Sequence, residues 1–239
     1  MYKLSSKIRY SEIDYSGKLA LGKLVDYFQD SSTFQTEESN LGPLYFQNAG
    51  KAWIINAWQI EILRYPELGE KVNVGTWPYN FKRFMGERNY IMESDSGELL
   101  ARANSVWVLY DMKKGFPSSL TEEEIQRYGV EPPLEMEYKP RKIKCGDNWT
   151  YKDSFVIGMD RIDTNGHMNN AEYVTLACNY LPEGRKVGEV RVEYKQSIML
   201  GQKVDVSIID EEKVFYIRFA NEAGEIYAIH EFSFKEDIC

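Results

Sequence analysis

The chain repeats itself, and the repeat constrains its fold more than any other feature. Residues 13–19, IDYSGKL, resemble residues 162–168, IDTNGHM, at an offset of 149. Residues 68–74, LGEKVNV, resemble 200–206, LGQKVDV, at an offset of 132. Residues 97–107, GELLARANSVW, resemble 224–234, GEIYAIHEFSF, at an offset of 127. The three matches keep their order while the offset shrinks, as happens when loops shorten in a second copy. A module of roughly 90–110 residues is duplicated, a period far too long for a solenoid unit.

Both copies read alike. A short strand leads to a turn carrying Asp and Gly, and an amphipathic helix follows. Leu21, Leu24, Val25 and Phe28 share one helical face in the first copy, and Val174, Ala177, Cys178 and Leu181 do so in the second. Strand-like runs follow over 52–64, 71–77, 87–93 and 99–110, and again over 189–196, 203–209, 213–220 and 226–234. A helix followed by a run of strands predicts an α+β fold in which each helix buries its apolar face on an antiparallel sheet. The chain divides into an N-terminal module, 1–115, a linker, 116–150, and a C-terminal module, 151–239. The linker carries Pro117, Pro132, Pro133 and Pro140, one helical stretch over 121–128 with Ser119 or Thr121 as N-cap, and a basic run from Lys139 to Lys144.

Composition removes several function classes. With 29 Lys+Arg against 37 Asp+Glu the chain has a net charge of −8, a poor match for nucleic acid. At 43% hydrophobic and 14% aromatic residues it is not a disordered chain. Cys145, Cys178 and Cys239 are far apart and odd in number, so no disulfide framework is expected, and a reducing, cytoplasmic setting is. His167 and His230 are the only histidines, too few for a classical zinc site, and no metal is expected. No run of apolar residues is long enough to span a membrane, and the N-terminus lacks the apolar core of a signal peptide. The Asn148-Trp149-Thr150 sequon then has no glycosylating compartment to act in.

The segment with chemistry in it is 159–173, MDRIDTNGHMNNAEY. Asp160, Asp163, Asn165, His167, Asn169 and Asn170 crowd a strand-to-helix loop around Gly166. A helix N-terminus offers unpaired N–H groups and partial positive charge to a developing oxyanion. His167 can serve as a base, Asn165 can donate to a carbonyl, and Asp163 can orient or activate a neighbour. Asp and Asn before a helix are also ordinary caps and turn formers. The first copy weighs against that plainer reading. It keeps Asp14 and Gly17 but has Ser16 and Lys18 where the second has Asn165 and His167. If turn geometry were the whole requirement, Asp and Gly would suffice.

The D-x-N-x-H-x-N-N pattern, inside a duplicated helix-plus-sheet module, resembles the acyl-[acyl-carrier-protein] thioesterases of plants and bacteria. The stretches WIINAWQIEILRYPELGEKVNVGTWP and GERNYIMESDSGELLARANSVWVLYD of the first copy are similar to that family too. The resemblance covers about residues 5–235. It implies two tandem hotdog domains, each a long helix wrapped by an antiparallel sheet, and hydrolysis of fatty acyl thioesters of the carrier protein's phosphopantetheine arm, with no cofactor. Residue by residue it implies catalytic roles for Asp163, Asn165 and His167. Asn169, Asn170 and Trp53 are expected to contact substrate, although Trp53, like Trp58 and Trp107, also reads as core, the commoner place for a tryptophan, and an acyl tunnel needs apolar walls. Plant members carry a Glu-Cys pair where this chain has Ser197 and Ile198, which excludes a cysteine nucleophile there and leaves water or Asp163. Cys178 reads as a small buried apolar residue. His230, mid-strand, reads as structural.

The basic run is a solvated linker on the plainest view. An acidic chain also needs a local basic patch to meet an acidic carrier protein, and Arg141, Lys142 and Lys144 supply one. Two rival functions stay open: hydrolysis of acyl-coenzyme A, which would favour a basic groove for the nucleotide, and non-catalytic binding of an acyl chain or lipid, against which Asn165 and His167 argue. Pairing with a second copy is open as well.

Overall fold

The computed structural model describes residues 1–235, and these divide into two compact units, Met1–Asn56 with Ile62–Lys139, and Ala57–Glu61 with the chain from Pro140. In chain order the elements are β1 (Tyr2–Lys7), α1 (Leu21–Glu38), α2 (Pro43–Asn48), β2 (Lys51–Ile62), β3 (Lys71–Lys82), β4 (Met85–Ser94), β5 (Leu99–Asp111), β6 (Phe116–Pro117) and α3 (Glu122–Tyr128), then β7 (Thr150–Val156), α4 (Asn170–Cys178), β8 (Val187–Tyr194), β9 (Lys203–Asp210), β10 (Val214–Ala220) and β11 (Ile226–Phe234). None of the described helices is long and apolar enough to cross a membrane.

In the first unit β1, β3, β4 and β5 lie side by side in that order, all antiparallel. Helix α1 turns Leu21, Leu24, Val25 and Phe28 inward, as their spacing predicts. The sheet meets them with Val72, Val74, Tyr90 and Met92, all buried, and the Phe28 and Tyr90 rings lie 5.2 Å apart. Truncating Phe28 to Ala would cost about 3–5 kcal/mol by the usual large-to-small scale.

The second unit repeats the plan with the order β8, β11, β10, β9, β7, and Ala57–Glu61 pairs with β8. Val174 and Ala177 of α4 are buried as expected, and Cys178 is half-buried. Leu181 lies outside the helix, because α4 has 9 residues against 18 in α1. Pro182 accounts for this: its ring disfavours helical backbone at the residue before it.

The linker is strapped down piecewise. Thr121 caps α3 through a reciprocal box with Glu124, whose N–H reaches the Thr121 hydroxyl at 3.2 Å. Tyr128 then joins Leu41, Phe46 and Leu109 in a small core of the first unit. Beyond Pro140, Ile143 packs on Ile209, Tyr216 and Ile229 of the second unit, and its N–H donates to Glu193 at 3.0 Å. Arg218 lies 4.7 Å from the centre of the Trp149 ring. The Pro140 carbonyl accepts from Arg191, itself paired with Glu231 at 2.8 Å.

Candidate active site

Both copies build the same turn, atom for atom in its main chain. In the second, Asp163 N–H donates to the His167 carbonyl at 2.8 Å, Gly166 N–H to the Asp163 carbonyl at 3.0 Å, and Asn169 N–H to the Arg161 carbonyl at 2.9 Å. In the first, Asp14 donates to Lys18 at 2.8 Å, Gly17 to Asp14 at 3.0 Å, and Ala20 to Glu12 at 2.9 Å. Gly17 and Gly166 have φ of 78° and 79°, the left-handed conformation that a side chain makes costly. The aspartates close both turns alike. Asp163 Oδ1 accepts from Asn165 N–H at 2.8 Å and His167 N–H at 3.4 Å, as Asp14 Oδ1 accepts from Ser16 at 2.8 Å and Lys18 at 3.4 Å.

Asp and Gly thus make the turn, and the two copies differ at the places of Asn165 and His167. Asn165 is exposed, and its amide reaches back to Asp163 Oδ2 at 3.3 Å, leaving a second N–H to donate outward. His167 is half-buried, and its imidazole takes no hydrogen bond among the described residues. A bridge between His167 and Met199 sets the segment 197–199 beside the loop. Ser197 is exposed there, Ile198 is buried, and the Ile198 carbonyl accepts from Met168 N–H at 2.8 Å.

The other expected residues fall in several places. Asn169 is the N-cap of α4, its side-chain oxygen accepting from Ala171 N–H at 2.8 Å. Glu172 N–H donates to the Asn169 carbonyl at 3.0 Å, so two donors of the first helical turn are already engaged. Asn170 is the first residue of α4. Trp53 belongs to the first unit, packed on the Leu41–Phe46–Leu109–Tyr128 cluster, and its indole N–H donates to the Tyr128 hydroxyl at 3.0 Å. Arg141, Lys142 and Lys144 are exposed on either side of the buried Ile143.

Burial pushes the Cys178 thiol up to about 12 and raises that of Cys145, which is half-buried in the linker cluster. Neither is a ready nucleophile. Cys239 lies outside the described residues. His230 is fully buried on the inner face of β11, its Nδ1 3.2 Å from the Ile217 carbonyl and its ring between Phe219 and Phe232. Burial lowers it to about 4, so it is a neutral core residue at working pH.

Sequence reasoning missed two tyrosines. The Tyr173 hydroxyl accepts from Ile198 N–H at 3.0 Å, and the Tyr194 hydroxyl donates to the Asn170 carbonyl at 2.9 Å. Their rings meet edge to face at 5.2 Å. Aligning the two copies position by position would have marked them, since Leu24 and Ile62 stand at the matching places.

Known proteins supply the remaining comparison. The family model of the acyl-ACP thioesterase N-terminal domain matches residues 1–128, and that of the C-terminal domain matches residues 150–236. A chloroplastic acyl-[acyl-carrier-protein] hydrolase of Cuphea viscosissima is 27% identical over 213 residues, 82% of this chain and 51% of that protein. A chloroplastic palmitoyl-acyl carrier protein thioesterase of Cuphea hookeriana is 29% identical over 156 residues, 60% of this chain and 37% of that one. The chain spans about half the length, or less, of these curated relatives. An acyl-ACP thioesterase from Bacteroides thetaiotaomicron has a TM-score of 0.90 at 21% identity, over 98% of this chain and 97% of that chain. The 12:0-ACP thioesterase from Umbellularia californica has 0.86 at 16%, over 98% and 96%. At such identities the likeness is one of fold, two hotdog domains in succession along the chain. The two family models together take in nearly the whole sequence, and the chain belongs to the acyl-ACP thioesterase family.

Proposed function

We propose that the protein hydrolyses the thioester between a fatty acyl chain and the phosphopantetheine arm of an acyl carrier protein, releasing the free acid and ending chain growth. One observation carries the reading: two turns share a backbone, and only the second bears Asn165 and His167. The relatives' names point the same way.

The thioester carbonyl lies against the outward N–H of Asn165. His167 takes a proton from water as its oxygen adds to the carbonyl carbon. The tetrahedral adduct then collapses, the carbon–sulfur bond breaks, and the imidazolium returns the proton to the leaving thiolate. Asp163 holds the loop, because Asn165 and His167 donors already occupy its oxygens. Water is therefore the nucleophile, favoured over that carboxylate and over the buried thiols. The first unit, with Lys18 at the place of His167, shapes the acyl pocket, and Trp53 adds apolar wall. Asn170 helps seat the substrate at the start of α4. Arg141, Lys142 and Lys144 receive the acidic carrier. We place the reaction in the cytoplasm, consistent with Cys145 and Cys178 being free thiols.

Turnover of one acyl chain on carrier protein and on coenzyme A, by wild type and His167→Ala, tests this. The variant is expected to lose about 10²–10⁴-fold in kcat, the usual worth of a general base, and Lys18→Ala to lose almost nothing. An active His167→Ala variant sinks the site assignment. A preference for coenzyme A moves the substrate class, and turnover of neither donor leaves a binding protein.

A further inference from the structure

We infer that Tyr173 and Tyr194 are positioning residues for the Asp163–Asn169 loop, their hydroxyls holding it against the segment 197–199 and the start of α4 so that Asn165 and His167 stay aimed at the thioester. This rests on the function proposed above and extends it to residues that do not touch the reacting atoms.

The first copy supplies the comparison. There the loop is closed by Leu19 N–H donating to the Pro66 carbonyl at 2.8 Å, the counterpart of Met168 donating to Ile198 at 2.8 Å. Pro66 has no N–H, so nothing need accept from it, and the facing helical position is Leu24. In the second copy the residue at this place is Ile198, fully buried, whose N–H would be costly unpaired. Tyr173 accepts it at 3.0 Å. Likewise Ile62 in the first copy becomes Tyr194 in the second, tied to the Asn170 carbonyl at 2.9 Å. The first copy ties its own loop at another position, the Tyr27 hydroxyl of α1 donating to Glu12 at 2.8 Å. Hydroxyls at the places of Tyr173 and Tyr194 are therefore not a requirement of the turn's backbone, and they occur in the copy that carries the histidine.

A phenol that accepts one hydrogen bond still has its own hydrogen to give. Burial raises both tyrosines, and the charge of Asp163 acts on Tyr173 in the same direction. Both stay protonated, and Tyr173 keeps an O–H to give, for which the Leu24–Pro66 pair has no equivalent.

The test uses the full chain, with kcat and KM on an acyl-carrier substrate and thermal midpoints for each variant. Tyr173→Phe and Tyr194→Phe are expected to lower kcat by about 10–100-fold with little change in KM, the signature of misaligned groups. Tyr180→Phe, at a tyrosine whose hydroxyl meets Asp153 at 3.3 Å away from the loop, should match wild type. Transplanting the first copy's pair, as Tyr173→Leu with Ile198→Pro, should restore the thermal midpoint and leave kcat low. Wild-type kcat in that double variant, or in both phenylalanine variants while His167→Ala is inactive, would overturn the inference. So would failure of both phenylalanine variants to fold. An active His167→Ala would instead strike the function proposed above.

Discussion

His230 makes stability depend on pH in a way that can be worked from its surroundings. Its ring is fully buried, touches Phe219 and Phe232, and has one polar neighbour, the Ile217 carbonyl at 3.2 Å from Nδ1. Its Nε2 is buried without a hydrogen-bond partner. Burial therefore lowers its pKa from an ordinary 6.5 to about 4. Between those values the unfolded chain binds a proton that the folded chain refuses, so stability falls as pH falls through that window. Above about pH 6.5 the residue has no effect, and below about pH 4 the full difference applies, about 3 kcal/mol at 1.36 kcal/mol per unit. Replacing the imidazole with a ring that cannot titrate, His230→Phe, should remove this slope, and His230→Leu checks against overpacking. Urea midpoints of wild type and variants at several pH values between 7.5 and 4.5 measure it. The difference between wild type and variant cancels the carboxylates common to both. Parallel curves, or a wild type that gains on the variant as pH falls, would refute the reasoning.

Three further outcomes are expected. Asp163→Asn should lower kcat by about 10²-fold, because loop donors lose the charged oxygen that aligns them, while Asp14→Asn in the matching turn leaves kcat unchanged; equal losses at both aspartates would mean a folding effect. Reversing charge at Arg141, Lys142 and Lys144 should raise KM for carrier-bound substrate and leave hydrolysis of a small acyl thioester alone; no change in KM would put docking elsewhere. Cys178→Ala should keep most activity, and wild type should survive iodoacetamide, since a thiol held near 12 is almost never ionised; substrate-protected inactivation that vanishes in Cys178→Ala would restore a cysteine mechanism.

Much of the fold was legible because the two periodicities are strong. The strand expected over 226–234 is Ile226–Phe234, and that over 203–209 is Lys203–Asp210. Helix α4 was read too far because the apolar spacing continues to Leu181, and periodicity does not register the proline after it. The loop was legible as a unit, since its residues are neighbours in sequence. Its supports were not. Tyr173 and Ile198 are 25 residues apart, and a tyrosine at an apolar helical position looks like any other core residue. Asn169 carries a second role beside the substrate contact its place in the motif suggested: its side-chain oxygen accepts from a backbone N–H of α4, as an Asn before a helix predicts.

The duplication also changes what counts as a sign of chemistry. Asp163 and Gly166 alone would suggest a catalytic turn, yet Asp14 and Gly17 make the same hydrogen bonds beside a lysine. Their presence in both copies is explained by the backbone, a left-handed glycine and a carboxylate that gathers main-chain donors. Whatever is common to the two turns therefore cannot separate a catalytic loop from a structural one. The discriminating residues are those at which the copies part. Asn165 and His167 replace Ser16 and Lys18 on the open side of the turn, and Tyr173, Tyr194 and Ile198 replace Leu24, Ile62 and Pro66 behind it. In the function proposed above the first set presents an amide and a base to a thioester, and the second places hydroxyls where those positions of the other copy have hydrocarbon. Changes on both sides of one loop, over main-chain hydrogen bonds that both copies share, are what the positioning role inferred above requires, since the first copy ties its loop elsewhere, through Tyr27 and Glu12.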